Sequence, residues 1–259
     1  MYLSDDQISA EVTNITTWLT DTFRQTQKTR AVIAVSGGVD SGLALTLLTR
    51  ALGAKNVWAL LLPYGDQDMT DAKKMLDFNQ IPSANRQLIN IKLSVDQIAQ
   101  SLGLPTSDEE KPNLDQTHKI RLGNVQARVR MIMVFDLAKK LDGLVCGTEN
   151  KSENLLGYYT RFGDSASDLE PIAHLYKTQV YQLAKFLGLP DFVLTKAPSA
   201  GLWSGQTDED QLGFSYAQAD EVLQSLATSG GTQIDPSIVK KVADQVDSQK
   251  FKSFVPYKK

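Results

Sequence analysis

An apolar segment followed by a polar, glycine-rich turn occurs early in the chain, in the sequence AVIAVSGGVDSG at residues 31–42. The turn carries one carboxylate, Asp40, and two hydroxyls, Ser36 and Ser41. Leucines at helical spacing follow, so the turn is expected to join a buried strand to the N-terminus of a helix. The N–H groups there lack partners and the helix dipole is positive, so the turn predicts a phosphate site. Asp40 is the expected ligand for an accompanying magnesium ion.

The spacing within this loop separates it from common nucleotide-binding motifs. It lacks the Gly-Lys-Ser/Thr ending of a Walker A loop and the G-x-G-x-x-G dinucleotide fingerprint, which argues against kinases and dehydrogenases. Its SGG-x-DS pattern resembles the pyrophosphate loop of the ATP pyrophosphatase superfamily, which cleaves ATP between its α and β phosphates to adenylate a carbonyl or carboxyl oxygen. A plain glycine turn is the alternative. Under the resemblance, the ATP phosphates lie against Ala34, Val35, Ser36, Gly37, Gly38, Val39, Asp40 and Ser41.

A second polar region, residues 147–180, follows a short apolar segment, Leu144–Cys146. It is denser in polar groups than a core segment tolerates without partners, and a ligand would supply those partners. Thr148 follows the predicted strand after Gly147, at the sheet edge where Asp40 is also expected. Glu153 falls in the first turn of the next helix, where it either complements the helix dipole or acts as a second magnesium ligand.

Other reactive residue types give weaker signals. Arg128 and Arg130 are two positions apart on one predicted helix and point in different directions, so one is expected to bind an anionic group and the other to form a structural ion pair. His118 and His174 have no second histidine or cysteine at ligand spacing, so no transition-metal site is predicted. The single cysteine, Cys146, ends an apolar strand and is expected in the core, which leaves any nucleophile to a substrate.

Strands and helices alternate along the chain. Strands are predicted at Ala31–Val35, Val57–Leu62, Leu88–Ile91 and Leu144–Cys146, and helices at Ile8–Phe23, Thr70–Asn79, Val95–Leu102, Ile120–Lys140 and from Tyr216 onward. This rhythm predicts an α/β fold with a doubly wound, mostly parallel sheet, helices on both faces and a ligand site at the carboxyl ends of the strands.

Two segments raise questions of mobility and assembly. The polar stretch Pro105–Thr117 has no apolar period and is expected to be a mobile loop, either a surface linker or a lid at Thr106–Gln116 that closes over substrate. The helix at Ile120–Lys140 contains VRMIMVFDLA, which is apolar on nearly every face. Such a helix is covered either by the fold or by a second subunit, and the second case, a homodimer, is favoured.

Composition limits the classes of partner. With 259 residues, 42% of them hydrophobic, the chain is expected to form a single domain over residues 1–259. The net charge of −3 and the isoelectric point near 5.5 argue against nucleic acid and favour a small metabolite. One cysteine rules out an internal disulfide and suits the cytoplasm, and no window is long and apolar enough to predict a membrane span.

Longer segments carry a narrower resemblance. They are SGGVDSG at 36–42, GNVQARVRM at 123–131, GTENKSENLLGYYTRFGD at 147–164, DLEPIAHLYKTQVYQLA at 168–184 and PSAGLWSGQTDEDQLGFSY at 198–216. Together they resemble the ammonia-dependent NAD synthetases. This resemblance implies an adenine nucleotide alpha hydrolase-like, Rossmann-like fold and a homodimer. It also implies that ATP, with Mg2+, drives the amidation of deamido-NAD by free ammonia to NAD, AMP and pyrophosphate through an acyl adenylate.

The resemblance also implies roles for individual residues. Asp40 and Glu153 would hold magnesium, and Asp40 and Lys177 would be catalytic. Beyond the loop, ATP would contact Thr148, Lys177 and Ser199, and deamido-NAD would contact Arg128, Arg161, Asp168, Phe251 and Lys252. Three positions, in two segments, depart from the family pattern. Arg161 stands where lysine is more frequent, and Phe251-Lys252-Ser253 stands where relatives tend to have His-Lys-Arg.

Two other functions are open at this stage. One is a different enzyme with the same phosphate loop, either GMP-synthetase-like or tRNA-modifying, and the low net charge argues against the tRNA case. The other is a non-catalytic sensor of adenine nucleotides. Retention of Asp40, Glu153 and Lys177 together argues against a sensor, which does not need the metal carboxylates.

Overall fold

Four parallel strands form one sheet in the part of the chain that the computed structural model describes, residues 2–106, 115–203, 205–228, 230–254 and 256–257. They are β1 (Ala31–Ala34), β2 (Val57–Leu61), β3 (Arg86–Leu88) and β4 (Leu144–Cys146), in the order β3-β2-β1-β4. Ala31 pairs with both Val57 and Leu144, so β1 is an interior strand. Because the strands are parallel, β1 and β4 end at the same edge, directly before residues 35–41 and 147–153.

Helices connect and cover the strands. Their bounds are α1 (Asp5–Gln25), α2 (Val39–Leu52), α3 (Thr70–Phe78), α4 (Lys92–Ser101), α5 (Gln116–Leu141), α6 (Lys151–Leu156), α7 (Lys177–Phe186), α8 (Asp191–Leu194), α9 (Asp208–Leu212), α10 (Tyr216–Thr228) and α11 (Pro236–Gln249). Polar side chains begin several of them. Ser4, Asp115 and Asn150 each accept a hydrogen bond from a backbone N–H in the first turn of α1, α5 and α6.

The two faces of the sheet are covered by different helices. Ile33 and Ala59 lie in one core with residues of α1, α2, α3 and α7. Val32, Leu60 and Val145 lie in a second core with residues of α4 and α5. Successive residues of a strand point to opposite faces, so an unbroken apolar strand such as β1 serves both cores. The predicted doubly wound α/β fold is confirmed.

A third apolar cluster lies at α6, α10 and α11, where it packs Leu156, Tyr216, Val222 and Val242. A fully buried carboxylate, Asp220 of α10, ties this cluster to the sheet-bound helices. It accepts hydrogen bonds from the Ser152 hydroxyl of α6 and, at 2.8 Å, from the Thr178 N–H in the first turn of α7. The carboxylate therefore sets where α6 and α7 begin relative to each other.

Several predicted boundaries are corrected. The third strand is Arg86–Leu88 and not Leu88–Ile91, because Ile91 is already the N-cap of α4. The half-exposed edge strand carries too few apolar residues to be recognised from its pattern. The strands β1 and β2 each end one residue earlier than predicted.

The boundary between the polar loop and the long helix is also corrected. The loop predicted at Pro105–Thr117 ends earlier, because Asp115 caps α5 and Gln116 and Thr117 are helical. Most of the predicted lid, residues 107–114, lies outside the described residues.

The long helix α5 is covered on one face by this chain. Val125, Val129 and Leu137 are buried in the second core, whereas Ile132 is 53% exposed. The apolar surface around Ile132 is therefore left open by the chain itself. In the described residues, no helix combines the length and apolar character needed to cross a membrane.

The Asp220 linkage gives a test of this architecture. We expect Asp220→Ala to lower the free energy of unfolding by about 2–3 kcal/mol, because it leaves the buried Thr178 N–H and Ser152 hydroxyl without their acceptor. Asp220→Asn keeps one acceptor and should cost about half as much. Urea unfolding followed by circular dichroism measures both, and an alanine variant as stable as the parent chain would contradict the linkage.

Candidate active site

The predicted phosphate loop is held open at the end of β1. The Val35 N–H donates to Leu60 O at 2.9 Å, the last bond along this side of the sheet before the chain turns. The Ser41 hydroxyl then accepts from the Ser36 N–H at 3.2 Å and lies 3.0 Å from the Ser36 hydroxyl. These contacts between Ser36 and Ser41 stabilise the conformation of the turn. They do not use the backbone N–H groups in the first turn of the helix that follows.

Two glycines serve different purposes in the loop. Gly37 has a φ of +82°, and a Cβ on it would lie 2.7 Å from the Ala72 backbone nitrogen in α3. Gly38 is the N-cap of α2 and supplies no side-chain cap. The first turn of α2 therefore presents N–H groups to an incoming anion, as the sequence predicted.

A buried cation joins the loop to the segment after β4. The Lys177 Nζ lies 2.6 Å from Asp40 Oδ2 and 2.9 Å from Glu153 Oε1, and its side chain is 3% exposed. It also lies 4.9 Å from the centre of the Tyr216 ring. The three residues predicted to carry the metal and the catalysis are therefore brought together, although they lie on α2, α6 and α7.

Asn150 is a member of this group that sequence reasoning missed. Its Nδ2 donates to Asp40 Oδ1 at 2.9 Å, while its Oδ1 accepts from the Glu153 N–H at 3.0 Å. The Glu153 side chain in turn accepts from the Asn150 N–H, which completes a capping box. The N-x-x-E spacing at residues 150–153 is the local signal for this arrangement.

Burial and neighbouring charges shift the pKa values of Glu153 and Lys177 in opposite directions. Burial raises the pKa of Glu153 to about 7, although attraction to Lys177 pulls the other way. For Lys177, burial lowers the pKa, but the charges of Asp40 and Glu153 outweigh it and hold the pKa well above the usual value. The lysine is therefore a permanent cation between the two carboxylates.

Further carboxylates lie beside this cluster. Burial raises the pKa of Glu149 well above its usual value, and the charges of Asp164, Glu153, Glu170 and Asp40 add to the shift. Burial likewise raises the pKa of Glu170 to about 7. Glu170 accepts hydrogen bonds from the Ser167 hydroxyl at 2.7 Å and from the Glu149 N–H at 3.1 Å. The site as a whole carries an excess of negative charge.

The two arginines of α5 lie in different environments. Arg128 is exposed and its Nε donates to Arg161 O at 3.3 Å, so its remaining N–H groups face solvent. Arg130 donates to Leu62 O at 3.0 Å and to Gln67 Oε1 at 3.1 Å. Burial lowers the pKa of Arg130 to about 10. Among the described residues, Arg130 is held by neutral acceptors rather than by the predicted ion pair.

The C-terminal segment closes over the 157–161 turn. The Arg161 guanidinium lies 5.0 Å from the centre of the Phe251 ring, a cation–π contact. The Lys252 Nζ donates to Gly157 O at 2.6 Å and to Tyr159 O at 3.0 Å. Arg161, Phe251 and Lys252 are thus brought together, with Lys252 holding the backbone carbonyls of the turn.

The other predicted contacts have local partners. Asp168 Oδ2 accepts from the Val145 N–H at 2.7 Å and so fixes its own segment beside β4. The Ser199 hydroxyl donates to Gln206 O at 2.7 Å and shapes the 199–206 turn. Thr148 lies two residues after the end of β4, so it follows this strand as predicted. Cys146 is buried beneath these groups, where desolvation raises the pKa of its thiol, so the expectation of a core cysteine is confirmed.

Comparison with known proteins decides among the functions left open. The family described as NAD synthase matches residues 11–256. The chain belongs to the NAD synthase family. The NH(3)-dependent NAD(+) synthetase of Thermoplasma acidophilum is 37% identical over 231 residues, 89% of this chain and 90% of the relative. That of Thermococcus kodakarensis is 41% identical over 218 residues, 84% of this chain and 80% of the relative.

Solved structures of this family share the fold. The NH3-dependent NAD synthetase from Campylobacter jejuni, in complex with the nitrate ion, has a TM-score of 0.79 and 29% identity, covering 97% of this chain and 99% of its own. The NMN synthetase from Francisella tularensis has a TM-score of 0.83 and 28% identity, covering 100% and 99%. The sequence resemblance to the NAD synthetases and the predicted α/β fold are both confirmed.

The glycine pair provides a matched test of the loop. We expect Gly37→Ala to lower the free energy of unfolding by about 2 kcal/mol and to weaken ATP binding, because the new methyl group meets α3 and the φ is positive. Gly38→Ala has no such contact and should stay within about 0.5 kcal/mol of the parent chain. Thermal unfolding and binding of a fluorescent ATP analogue measure both, and equal effects of the two substitutions would contradict this geometry.

The buried Glu170 predicts a pH dependence of stability. Its pKa of about 7 in the fold exceeds the usual 4.5, so its contribution is complete below pH 4.5 and is lost as pH rises towards 7. The parent chain should therefore lose up to ~3 kcal/mol relative to Glu170→Gln over this interval. Urea unfolding at a series of pH values measures the difference, and two parallel stability curves would refute the shift.

Proposed function

We propose that this chain catalyses the ATP-dependent amidation of deamido-NAD by ammonia, giving NAD, AMP and pyrophosphate. The observation that carries the proposal is the junction of Asp40, Glu153 and Lys177 at the N-terminus of α2, in a chain of the NAD synthase family. A sensor needs a pocket for the nucleotide but not a lysine buried between two carboxylates beside the phosphates.

The chemistry follows from the poor reactivity of a carboxylate. An oxygen of the nicotinate carboxylate attacks the α-phosphorus of ATP, and pyrophosphate leaves. The nitrogen of ammonia then attacks the acyl carbon, the bond to the AMP oxygen breaks, and a proton is lost from nitrogen. Both steps place negative charge on phosphate oxygens, which the N–H groups of α2 and the Lys177 ammonium are positioned to stabilise.

We include Mg2+ in the proposal as the partner of ATP. Asp40 and Glu153 contact the same Lys177 Nζ, so their oxygens are close enough to share one cation. Within the described residues, no three His, Cys, Asp or Glu side chains are grouped to hold a metal. This fits Mg2+, which is commonly bound by one or two carboxylates together with substrate phosphates. When bound, it would neutralise charge on the phosphates.

The remaining contacts are proposed from the family pattern and from position. The loop residues 34–41, Thr148 and Ser199 are assigned to ATP. Deamido-NAD is assigned to a second group of residues, with Arg128, Arg161, Asp168, Phe251 and Lys252 as its contacts. Deamido-NAD carries both phosphates and aromatic rings. This assignment is supported by the exposed guanidinium of Arg128, which suits a phosphate, and by the stacked pair of Arg161 and Phe251, which suits an aromatic ring.

The protein is further proposed to be a cytoplasmic homodimer in which each chain forms one domain. The open apolar surface around Ile132 on α5 supports a second subunit. The reduced, buried Cys146 is compatible with the cytoplasm.

A second candidate substrate is the mononucleotide, nicotinic acid mononucleotide. The observation that favours it is the TM-score of 0.83 with the NMN synthetase of Francisella tularensis. Deamido-NAD is favoured because the sequence relatives that cover most of this chain are NAD(+) synthetases.

In the direct test, the protein is incubated with ATP, ammonium and Mg2+, and deamido-NAD, the mononucleotide or neither is added. The products are then measured. We expect NAD, AMP and pyrophosphate in equal amounts, dependent on deamido-NAD. Bound ATP without turnover would establish the sensor instead. Turnover with the mononucleotide alone would establish the second candidate, and turnover indifferent to both would require another acyl substrate.

Removal of the loop carboxylate tests the proposed role of Asp40. We expect Asp40→Asn to lower kcat by about 100- to 1,000-fold, because it removes the charge that faces Lys177 and the proposed metal. Asn keeps the shape and accepts from Asn150, and Glu153 still faces Lys177, so the chain should fold, although with lower stability than the parent. Steady-state kinetics with a thermal unfolding control measure this, and a well-folded variant with parental kcat would exclude a catalytic role for Asp40.

A further inference from the structure

One carboxylate oxygen at this site has no hydrogen-bond partner among the residues that the structure describes. Glu149 is 8% exposed, and its Oε2 is buried without a hydrogen bond. Buried polar atoms are nearly always hydrogen-bonded, and leaving one unpaired costs free energy. Glu149 Oε2 is therefore an unsatisfied hydrogen-bond acceptor, whereas the neighbouring carboxylates have hydrogen-bond partners.

Those neighbours have their own partners. Glu170 accepts from the Ser167 hydroxyl and the Glu149 N–H, and Asp164 accepts from the Thr160 N–H at 2.6 Å. The Lys177 ammonium is taken up by Asp40 and Glu153. The charges around Glu149 Oε2 are therefore negative, and a ligand that completes the site is a hydrogen-bond donor with positive charge.

The position of Glu149 adds a second argument. Its charge interacts with those of Asp40 and Glu153, which are assigned to ATP and its Mg2+. It also interacts with the charge of Lys252, which is assigned to deamido-NAD. An acyl adenylate joins the AMP part of ATP to deamido-NAD, so its acyl carbon lies between the residues assigned to ATP and those assigned to deamido-NAD. A nucleophile must arrive in that same region.

We propose that Glu149 Oε2 binds the ammonium ion that supplies the nitrogen of the amide. This site deepens the proposed function and rests on it. Ammonium is a compact cation with four N–H donors and therefore fits a single unpaired carboxylate oxygen.

The negative charge around Glu149 extends to the protein surface. Asp164 is exposed to solvent, whereas Glu149 is buried, and the charge of Asp164 acts on Glu149. The exposed Asp164 carboxylate therefore attracts a cation from solvent towards this site.

Kinetics provide the first test. Glu149→Gln keeps the size of the side chain and removes its charge. We expect it to raise the KM for ammonium by about tenfold or more at fixed pH, with the KM values for ATP and deamido-NAD within about twofold of the parent enzyme. Glu149→Asp should recover part of the ammonium affinity.

Glu170→Gln is the matched control, since it removes a neighbouring carboxylate whose oxygens are both partnered. Its KM for ammonium should change by about twofold or less. Thermal unfolding confirms that each variant is folded. An unchanged KM for ammonium in Glu149→Gln, or an equal increase in Glu170→Gln, would overturn the proposal.

A binding measurement separates this site from the proposed function. Tl+ replaces ammonium in many cation sites and gives strong anomalous scattering, so crystals of the full chain soaked in a thallium salt should show a peak at Glu149 Oε2. The peak should be absent from Glu149→Gln. No peak in the parent chain, or a Mn2+ peak there in a parallel soak, would overturn the proposal. If the chain forms neither NAD nor NMN but the thallium peak depends on Glu149, the proposed function fails and the cation site stands.

Discussion

The contact of Lys177 with Asp40 and Glu153 is the interaction on which the rest of the site depends. It joins three segments that are distant in sequence: the start of α2, the first turn of α6 and the first residue of α7. Removing one partner of a buried charge pair costs about 3–5 kcal/mol, because the other charge is left uncompensated. The phosphate loop is consequently held in place before any nucleotide binds, and little ordering is needed when ATP arrives.

The N-termini of helices, rather than loops, position the residues around the Lys177 contact. Asn150 caps α6 and bonds Asp40, while Ser152 of the same helix accepts from the Lys177 N–H at 2.9 Å. Asp220 then fixes Ser152 and the first turn of α7. Each polar side chain satisfies a helix terminus and positions a site residue at the same time. The third apolar cluster therefore contributes to the site through these hydrogen bonds and through the Tyr216 ring beside Lys177.

Negative charge in excess is the second constraint on this cleft. Lys177 and Arg130 are deeply enclosed cations, yet Glu149, Asp164 and Glu170 stand beside the Asp40 and Glu153 pair. Burial raises the pKa of the Glu149 and Glu170 carboxyls, because a negative charge is costly in this desolvated position. A cleft of this kind favours cations, and both the proposed Mg2+ and the proposed ammonium ion use that property.

The sequence by itself determined the strand-loop-helix unit at residues 31–42, the alternation that leads to a doubly wound sheet, and the family. These features depend on local periodicity and on residue types at short spacing, which a chain displays directly. The sequence placed the third strand too late, because a half-exposed edge strand has little apolar pattern. Only the tertiary structure decided that Arg130 is held by carbonyl and amide oxygens and that Asn150 bonds Asp40 across 110 positions. It also decided that Glu149 Oε2 has no hydrogen-bond partner within the described part of the chain. Such facts depend on how separate elements pack, since burial and partner distances arise only when α2, α6 and α7 meet at one edge of the sheet.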